Sequence, residues 1–277
     1  MKQNPFSFYD FLGYMIPGAV LLYLMNFVFK MDSLVSVLNL KDSTDANQLL
    51  SFIPAVICSY LVGHVLAIGS SAVIEAFSTY SNGYPSEFLF EVKAKPYFHQ
   101  SCNKGYKNLG RLLLFIIILP ISVLKLIMKD ILKIKMFMQA KSLPEKLKSE
   151  TFKKCKDILR DEIGVNVDEM VIDKGIDGDY LRLLYHFVFE NSERHANKLQ
   201  NYVALYGLTR NVSFVFLLAF WFSVYSHFNV SDSNIKIEHI ITFGVFAYIF
   251  YIGFVKFYRR YSLEAIMAVS VYKKNAS

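Results

Sequence analysis

Long stretches without a charged residue constrain this chain more than any other feature. An α-helix rises about 1.5 Å per residue and the hydrocarbon core of a bilayer is about 30 Å thick, so a membrane-spanning helix needs about 20 mostly apolar residues. Four stretches approach that length, at residues 11–29, 52–74, 212–228 and 239–255. We therefore predict an all-α fold, that of a multi-span helical membrane protein with four transmembrane helices.

The composition favours the same class. The chain of 277 residues is 54% hydrophobic and 16% aromatic, with a mean hydropathy of +0.32, which is unusually apolar for a soluble domain of this length. Its three cysteines lack the paired spacing of a disulfide framework or a zinc site. We predict free thiols in a reducing compartment, and neither a metal nor another cofactor.

A fifth uncharged run is shorter than the other four. Residues 112–124 hold Pro120 and continue directly into a lysine-rich segment. Thirteen residues suit an interfacial or re-entrant helix, which we place at about 112–138, better than a complete span. A fifth transmembrane helix remains the alternative.

The distribution of basic residues predicts the orientation, because Lys and Arg are retained on the cytoplasmic side. With four spans and both termini inside, only Lys30, Lys41 and Lys236 of the 30 Lys and Arg residues lie outside. A fifth span would place seven outside. They are Lys2, Lys93, Lys95, Lys104, Lys107, Arg111 and Lys236. We expect four spans and cytoplasmic termini.

The spans divide the chain into three consecutive domains. Residues 1–75 form an N-terminal membrane hairpin, residues 76–211 a cytoplasmic helical domain, and residues 212–277 a C-terminal membrane hairpin with a basic cytoplasmic tail. The cytoplasmic domain contains the predicted interfacial or re-entrant helix.

Residues that typically begin or end a helix predict two helices within the cytoplasmic domain. Ser142 and Gly164 bracket a helix predicted over residues 143–163, and Asp177 or Asp179 caps the next one. That second helix continues towards the third span, with a kink expected near Gly207.

Small residues recur at every fourth position of the second span. This spacing lets helix backbones approach closely in a membrane, either within one chain or between subunits. The small residues are Ala55, Ser59, Gly63, Ala67 and Ser71. If the ridge meets another subunit or lines a pore, the site residues are Ser59, Gly63, His64, Ala67 and Ser71.

His64 lies near the middle of the same span. An ionisable side chain is costly where it faces lipid, so His64 is expected to face the interior of the bundle. Two roles are open: a structural hydrogen bond, with Asn26, Ser70 or Ser71 as partner, or a pore or gating function. A single histidine does not indicate a metal site, which needs three or four ligands.

One segment carries the whole net charge of +7. Between Lys125 and Arg160, eleven Lys or Arg face four Asp or Glu, whereas the rest of the chain is balanced. Contact with the membrane surface is predicted for Lys125, Lys129, Lys133, Arg259 and Arg260. Sensing of an anion or ligand is predicted for Lys146, Lys148, Lys153, Lys154, Lys156 and Arg160. A solvated helix face is the alternative explanation.

Signatures of catalysis are missing from the sequence. It contains no G-x-S-x-G, H-E-x-x-H, Walker A or G-x-G-x-x-G motif. His186, Glu190 and Glu193 would lie near one helix face, where an ordinary polar surface explains them better than acid or base catalysis. We therefore do not predict an enzyme.

The layout resembles a known group of proteins. The opening FYDFLGYMIPGAVLLY, the later YLVGHVLAIGSSAVIE, the short spans and the basic helical domain are similar to small membrane effectors of bacterial anti-phage defence, such as Hailong-type and CRISPR-accessory channel effectors. The resemblance implies a homo-oligomeric, gated ion-conducting pore in the bacterial inner membrane, in contact with anionic lipids. A cytoplasmic nucleotide signal or partner protein would open it. The alternative is a non-conducting scaffold that recruits a cytoplasmic enzyme to the bilayer.

Overall fold

The computed structural model describes residues 10–30, 48–94, 96–98, 105–128, 132, 142–230 and 234–272, with the side chains of 48–52, 105 and 107 excepted. Every regular element in these ranges is helical, which confirms the all-α prediction. Lys129 and Lys133 lie outside the described residues.

Ten α-helices follow one another along the described chain. They are α1 (Phe11–Phe29), α2 (Gln48–Ser70), α3 (Ala76–Asn82), α4 (Pro85–Phe88), α5 (Gly105–Ile117), α6 (Leu119–Leu126), α7 (Glu145–Asp161), α8 (Gly178–Asn191), α9 (Glu193–Asn229) and α10 (Ile237–Val271). Among the described residues, three stretches are π-helical: the first turn of α1, Phe11–Met15, the connection Ser71–Glu75 between α2 and α3, and residues 127–128.

Four helical stretches are long and apolar enough to cross a bilayer. They are Phe11–Phe29, Ile53–Phe88, Glu193–Asn229 and Ile237–Val271. Their number and positions confirm the prediction of four long apolar helices from the uncharged stretches of the sequence. The consecutive segments Asn108–Ile117 and Leu119–Leu126 are bent by 85° and together would qualify as a fifth.

The described residues form two compact units that are interleaved along the chain. The first unit draws on Met1–Phe77, Leu112–Phe137 and Ala204–Phe254. The second draws on Ser78–Arg111, Met138–Val203 and Val255–Ser277. Helices α9 and α10 each contribute residues to both units.

The first unit packs α1, α2, α9 and α10 around an aliphatic and aromatic core. Its buried members are Leu21, Leu24, Val28, Leu66, Val215, Ala219, Ile235, Ile240 and Phe243. Helices α1 and α2 touch through their backbones, because a Cβ atom added at Gly18 would overlap the carbonyl of Ser59, and one at Gly63 the carbonyl of Tyr14. Part of the small-residue ridge therefore packs α2 against α1 within the chain.

The second unit has its own core, in which α7 and α8 pack with parts of α4, α9 and α10. Leu159, Ile176 and Leu184 are fully buried there, and so is Cys155. Burial raises the pKa of the Cys155 thiol to about 12. This cysteine is therefore a small apolar core residue and not a reactive thiol.

The boundaries of α7, α8 and α9 refine the sequence prediction. Helix α7 begins after Pro144, and the Asp177 carboxylate caps α8 by accepting a 2.9 Å hydrogen bond from the Asp179 N–H. The chain then breaks at the extended residue Ser192, and α9 runs without interruption through Gly207. Gly207 is buried within this continuous helix, and the kink predicted there stays a prediction.

Candidate functional site

Five residues form one hydrogen-bonded network, here called the polar cluster. They come from α1, from α2 and the π-helical connection that follows it, and from α9. The Arg210 guanidinium forms an ion pair with the Glu75 carboxylate, and its Nε donates to Ser70 Oγ at 3.1 Å. The Ser70 hydroxyl also hydrogen-bonds Asn211 Oδ1. Asn211 Nδ2 donates to the carbonyl of Gly13 at 2.6 Å. The network thus links the first, second and third candidate spans.

The polar cluster is largely shielded from solvent by apolar helices. Ser70 and Asn211 are fully buried, whereas the side chains of Arg210 and Glu75 are 12% and 28% exposed. Both charges are only partly buried, so removing one partner costs less than the about 3–5 kcal/mol of a fully buried ion pair. The Arg210–Glu75 pair therefore favours one arrangement of α2 and α9.

The π-helical segments Phe11–Met15 and Ser71–Glu75 both contribute to the polar cluster. Gly13 belongs to Phe11–Met15, and Glu75 ends Ser71–Glu75, where the Ser71 hydroxyl also donates to the Glu75 carboxylate at 3.3 Å. A π-helical turn accommodates an extra residue, and such turns occur frequently at functional sites. The two helices are thus locally widened where they carry the polar groups.

The ridge residues predicted for a pore or subunit face have different surroundings. Ser59 and Gly63 are buried, and the Ser59 hydroxyl donates to the Ala55 carbonyl at 2.7 Å. Ala67 is half-buried and Ser71 is exposed. Ser59 and Gly63 therefore serve packing within the chain, while Ser71 lies at the edge of the polar cluster.

His64 lies between two tyrosines. Its ring stacks on Tyr14 with 4.1 Å between ring centroids and meets Tyr60 edge to face at 4.6 Å. Ser70, considered from sequence as a hydrogen-bond partner of His64, instead bonds to Arg210 and Asn211 of α9. The described contacts of His64 are thus aromatic.

The six basic residues predicted to sense an anion all belong to α7, and four of them have partners within the chain. These contacts are Lys148 Nζ to Glu91 Oε2 at 2.9 Å, Lys154 Nζ to the Ser270 carbonyl at 2.6 Å, Lys156 Nζ to the Met170 carbonyl at 3.0 Å, and Arg160 to Asp157 and Asp161 at 3.1 and 2.7 Å. Lys146 and Lys153 are exposed. Most of this charge is therefore already balanced or hydrogen-bonded.

A cleft in the second unit has the opposite charge. Its volume is about 480 Å³, and its lining includes four carboxylates and one lysine. These are Glu87, Glu169, Asp173, Asp177 and Lys174. The carboxylates would repel an anionic ligand. In the part of the chain that the structure describes, no three metal-ligating side chains converge on a possible ion site.

The remaining predicted residues are distributed over both units. Lys125 Nζ lies 5.3 Å from the centroid of the Phe77 ring, Arg259 is half-buried and Arg260 is exposed. His186, Glu190 and Glu193 are exposed.

A second polar contact that was not predicted ties α9 to α10 within the second unit. His195 Nδ1 and Glu264 Oε1 are 2.7 Å apart, and Lys198 Nζ lies 3.4 Å from the same oxygen. This pair is partly buried. It stabilises the contact between α9 and α10.

Arg210 and Asn211 are functional candidates that the sequence pattern alone did not reveal. The third uncharged stretch begins at Val212, so Arg210 and Asn211 were assigned to the edge of that stretch and not to a site within it. A usable signal was nevertheless present, because Glu75 follows the second stretch and Arg210 precedes the third. Consecutive spans run in opposite directions, which brings these two charges to the same end of the bundle.

No protein family matches this sequence, and no curated protein or solved structure is significantly similar to it. The fold and the site therefore define its class: an all-helical protein with four candidate membrane spans and a charged, hydrogen-bonded cluster between three of them.

Proposed function

We propose that this protein is an integral protein of the bacterial inner membrane that assembles as an oligomer and acts as a gated ion-conducting pore. The single observation that carries the proposal is the Arg210–Glu75 ion pair, linked to Ser70 and Asn211 between apolar helices. Ionisable side chains within membrane bundles are costly, and they commonly mark ion pathways or gates.

The position of the polar cluster suits a gate. Gly13 lies near the start of α1, Glu75 follows the apolar part of α2, and Arg210 precedes the apolar part of α9. All three belong to the same end of the spans, which is cytoplasmic in the orientation favoured by the basic residues. When paired, Arg210 neutralises Glu75. Separation would expose a carboxylate in every subunit, and a ring of carboxylates attracts cations.

Helix α9 offers a route from a cytoplasmic signal to this gate. It begins at Glu193 in the second unit and carries Arg210 seventeen residues later in the same helix. A ligand or partner that displaced α9 would move Arg210 relative to Glu75. Lys146 and Lys153, exposed on α7, are the basic side chains best placed to meet an anion.

Recognition of a nucleotide signal and a role in anti-phage defence are part of this proposal. They rest on the resemblance in layout, and the acidic cleft of the second unit does not favour an anionic ligand. An anion such as a nucleotide would therefore bind the exposed basic face of α7.

Cation flux from proteoliposomes tests the pore. Purified protein would be reconstituted in phosphatidylethanolamine and phosphatidylglycerol vesicles loaded with K⁺. We expect a low flux for the wild type and at least about a tenfold increase for Arg210→Gln, a rise equivalent to about 1.4 kcal/mol in favour of the open state. The charge exchange Glu75→Arg with Arg210→Glu is expected to restore the low flux.

Glu238→Gln is the matched control. Glu238 is an exposed carboxylate in the first turn of α10, at the end of the candidate spans that lies opposite the polar cluster. It should behave as the wild type. Intact K⁺ gradients for Arg210→Gln, in protein whose assembly is unchanged by size-exclusion chromatography, would refute the pore.

The second candidate is the non-conducting scaffold, and the backbone contact between α1 and α2 favours it. Gly18 and Gly63 leave no space for an ion between these helices. A scaffold would show no flux for any variant, whereas Lys146→Glu with Lys153→Glu would abolish recruitment of a cytoplasmic partner.

A further inference from the structure

The α5–α6 pair is too short and too sharply bent to be an ordinary span. We propose that it is a re-entrant hairpin, which enters the bilayer to about its middle, returns to the side of the polar cluster and contacts lipid acyl chains through its outer face. The inference rests on the membrane location in the proposed function, but it does not require conduction.

Helix geometry argues against a fifth span. Asn108–Ile117 has ten residues and Leu119–Leu126 has eight, which correspond to arms of about 15 and 12 Å. With a bend of 85°, the two ends lie only about 20 Å apart, or about 24 Å when all thirteen residues of α5 are counted. A hydrocarbon core of about 30 Å cannot be crossed by such a pair.

The break between the two arms is built for an apolar environment. Ile118, where the helix is interrupted, is fully buried, and so is Ile121. The Trp221 indole N–H donates to the Ile117 carbonyl at 2.7 Å, which satisfies a group that the broken helix leaves without a helical partner. Interrupted helices are tolerated at membrane depth when protein groups satisfy the backbone in this way.

Contacts along α9 and α10 give the depth of the break. Near the polar cluster, a Cβ added at Gly253 would lie 3.2 Å from Thr209, whereas one at Gly244 would lie 3.4 Å from Pro120 Cβ. Gly244 is nine residues along α10 from Gly253, or about 13 Å. Pro120 therefore lies nearly half a hydrocarbon thickness from the level of the cluster.

The second arm returns towards that level. Lys125 Nζ lies 5.3 Å from the Phe77 ring centroid, and Phe77 follows Glu75 of the polar cluster by two residues. Basic residues flank the apolar run on both sides, Arg111 before it and Lys125 after it. The Lys125 end thus suits the anionic headgroups of that leaflet, whereas the Arg111 guanidinium donates to the Tyr97 carbonyl within the second unit.

The side chains on the outer face of the hairpin are apolar and exposed. Its members include Leu112, Leu113, Ile116, Leu119, Val123 and Leu126. No charged residue interrupts this face between Arg111 and Lys125, and all six side chains belong to the first unit. Lipid acyl chains of the cytoplasmic leaflet are therefore its expected partner.

Spin labels at single cysteines test the proposal in the full chain, with Cys58 and Cys102 replaced by serine and the buried Cys155 retained. Labels at Leu119→Cys and Leu126→Cys would be compared in proteoliposomes by their accessibility to oxygen and to a water-soluble nickel chelate. We expect the label at residue 119 to lie about 13 Å below the cluster level and the label at residue 126 near the headgroups. Tyr106→Cys and Leu132→Cys should react with an impermeant thiol reagent from one side, that of Lys146→Cys.

Three results would overturn the hairpin. Reaction of Tyr106→Cys and Leu132→Cys from opposite sides would show a span, and equal shallow depths at residues 119 and 126 would show a surface helix. Strong spin–spin coupling between copies at residue 119, with low oxygen accessibility, would show a second protein copy in place of lipid. Ile68→Cys, on the exposed face of α2, reports separately on the membrane location. Water exposure there would refute that location, and the hairpin with it.

Trp221→Phe tests the support of the break. Loss of the indole donor should raise the mobility of the label at residue 119, whereas Tyr225→Phe, an exposed control on the same helix, should leave it unchanged. Equal mobility in all three proteins would show that Trp221 does not hold the break and would contradict this part of the proposal.

Discussion

The contact between Glu91 and Lys148 contributes to the pH dependence of stability in the second unit. Hydrogen bonds from Lys148 and Ser142 lower the pKa of the Glu91 carboxyl, and the bond to Glu91 raises the pKa of Lys148. A lowered carboxyl pKa contributes stability above the unfolded value, about 4.3, which is lost as the pH falls through the folded value. The raised lysine pKa contributes below about 10.4, and this is lost in strong base.

Replacing this carboxylate should therefore flatten the acid limb of stability. We expect the thermal midpoint of wild-type protein in detergent to fall between pH 6 and 3, and that of Glu91→Gln to start lower and fall less. Glu150→Gln, which removes an exposed carboxylate of α7, should keep the wild-type profile. Parallel profiles for wild type and Glu91→Gln would contradict the role of this pair.

Single polar residues were easier to recognise in the sequence than to pair. The sequence indicated Ser70 only as a possible hydrogen-bond partner of His64. Its partners, Arg210 and Asn211, are about 140 positions away, and only folding brings them together. Spacing along one helix predicts a face, but a contact between helices depends on their rotation and register.

At the scale of elements, the backbone contact between α1 and α2 leads to a stability prediction. A methyl group at Gly63 would meet the Tyr14 carbonyl, a backbone atom that cannot move without the helix. Gly63→Ala is expected to destabilise the protein by about 1–3 kcal/mol, the usual cost of overpacking. Thermal unfolding in detergent measures the effect.

Gly110→Ala is the matched control, because nothing lies within 4 Å of a Cβ added at Gly110. This exposed helical glycine should gain up to about 1 kcal/mol from the higher helix propensity of alanine. Equal midpoints for the two variants would disprove the tight contact at Gly63.

Helix positions were largely predictable, whereas their local irregularities were not. Asp177 could be predicted as one of two candidate caps of α8, because a cap bonds to a backbone N–H only two residues away. No sequence pattern marks the π-helical segments Phe11–Met15 and Ser71–Glu75. The contacts that they make in the polar cluster are contacts between helices, which a local pattern does not predict. Sequence reasoning therefore located α1 and α2 but missed the feature that shapes the site.

At the scale of the whole molecule, the two units illustrate the same limit. Four spans could be counted because length and lack of charge are properties of continuous segments. The interleaving of 112–137 with 204–254 in one unit depends on contacts between distant segments, which periodicity does not encode.

The orientation of the molecule can be tested with two exposed positions at opposite ends of the predicted topology. Because basic residues favour the cytoplasmic side, Lys146→Cys in the second unit should react with an impermeant maleimide only in inverted vesicles. Asn234→Cys, between α9 and α10, should react only in intact cells. Each variant would carry Cys58→Ser and Cys102→Ser, and folded samples in detergent, in which Cys155 stays buried, would confirm that each introduced thiol can react. The reverse pattern would place the basic surface of α7 outside the cell, where a cytoplasmic anion could not reach it, and the proposed gating would then be excluded.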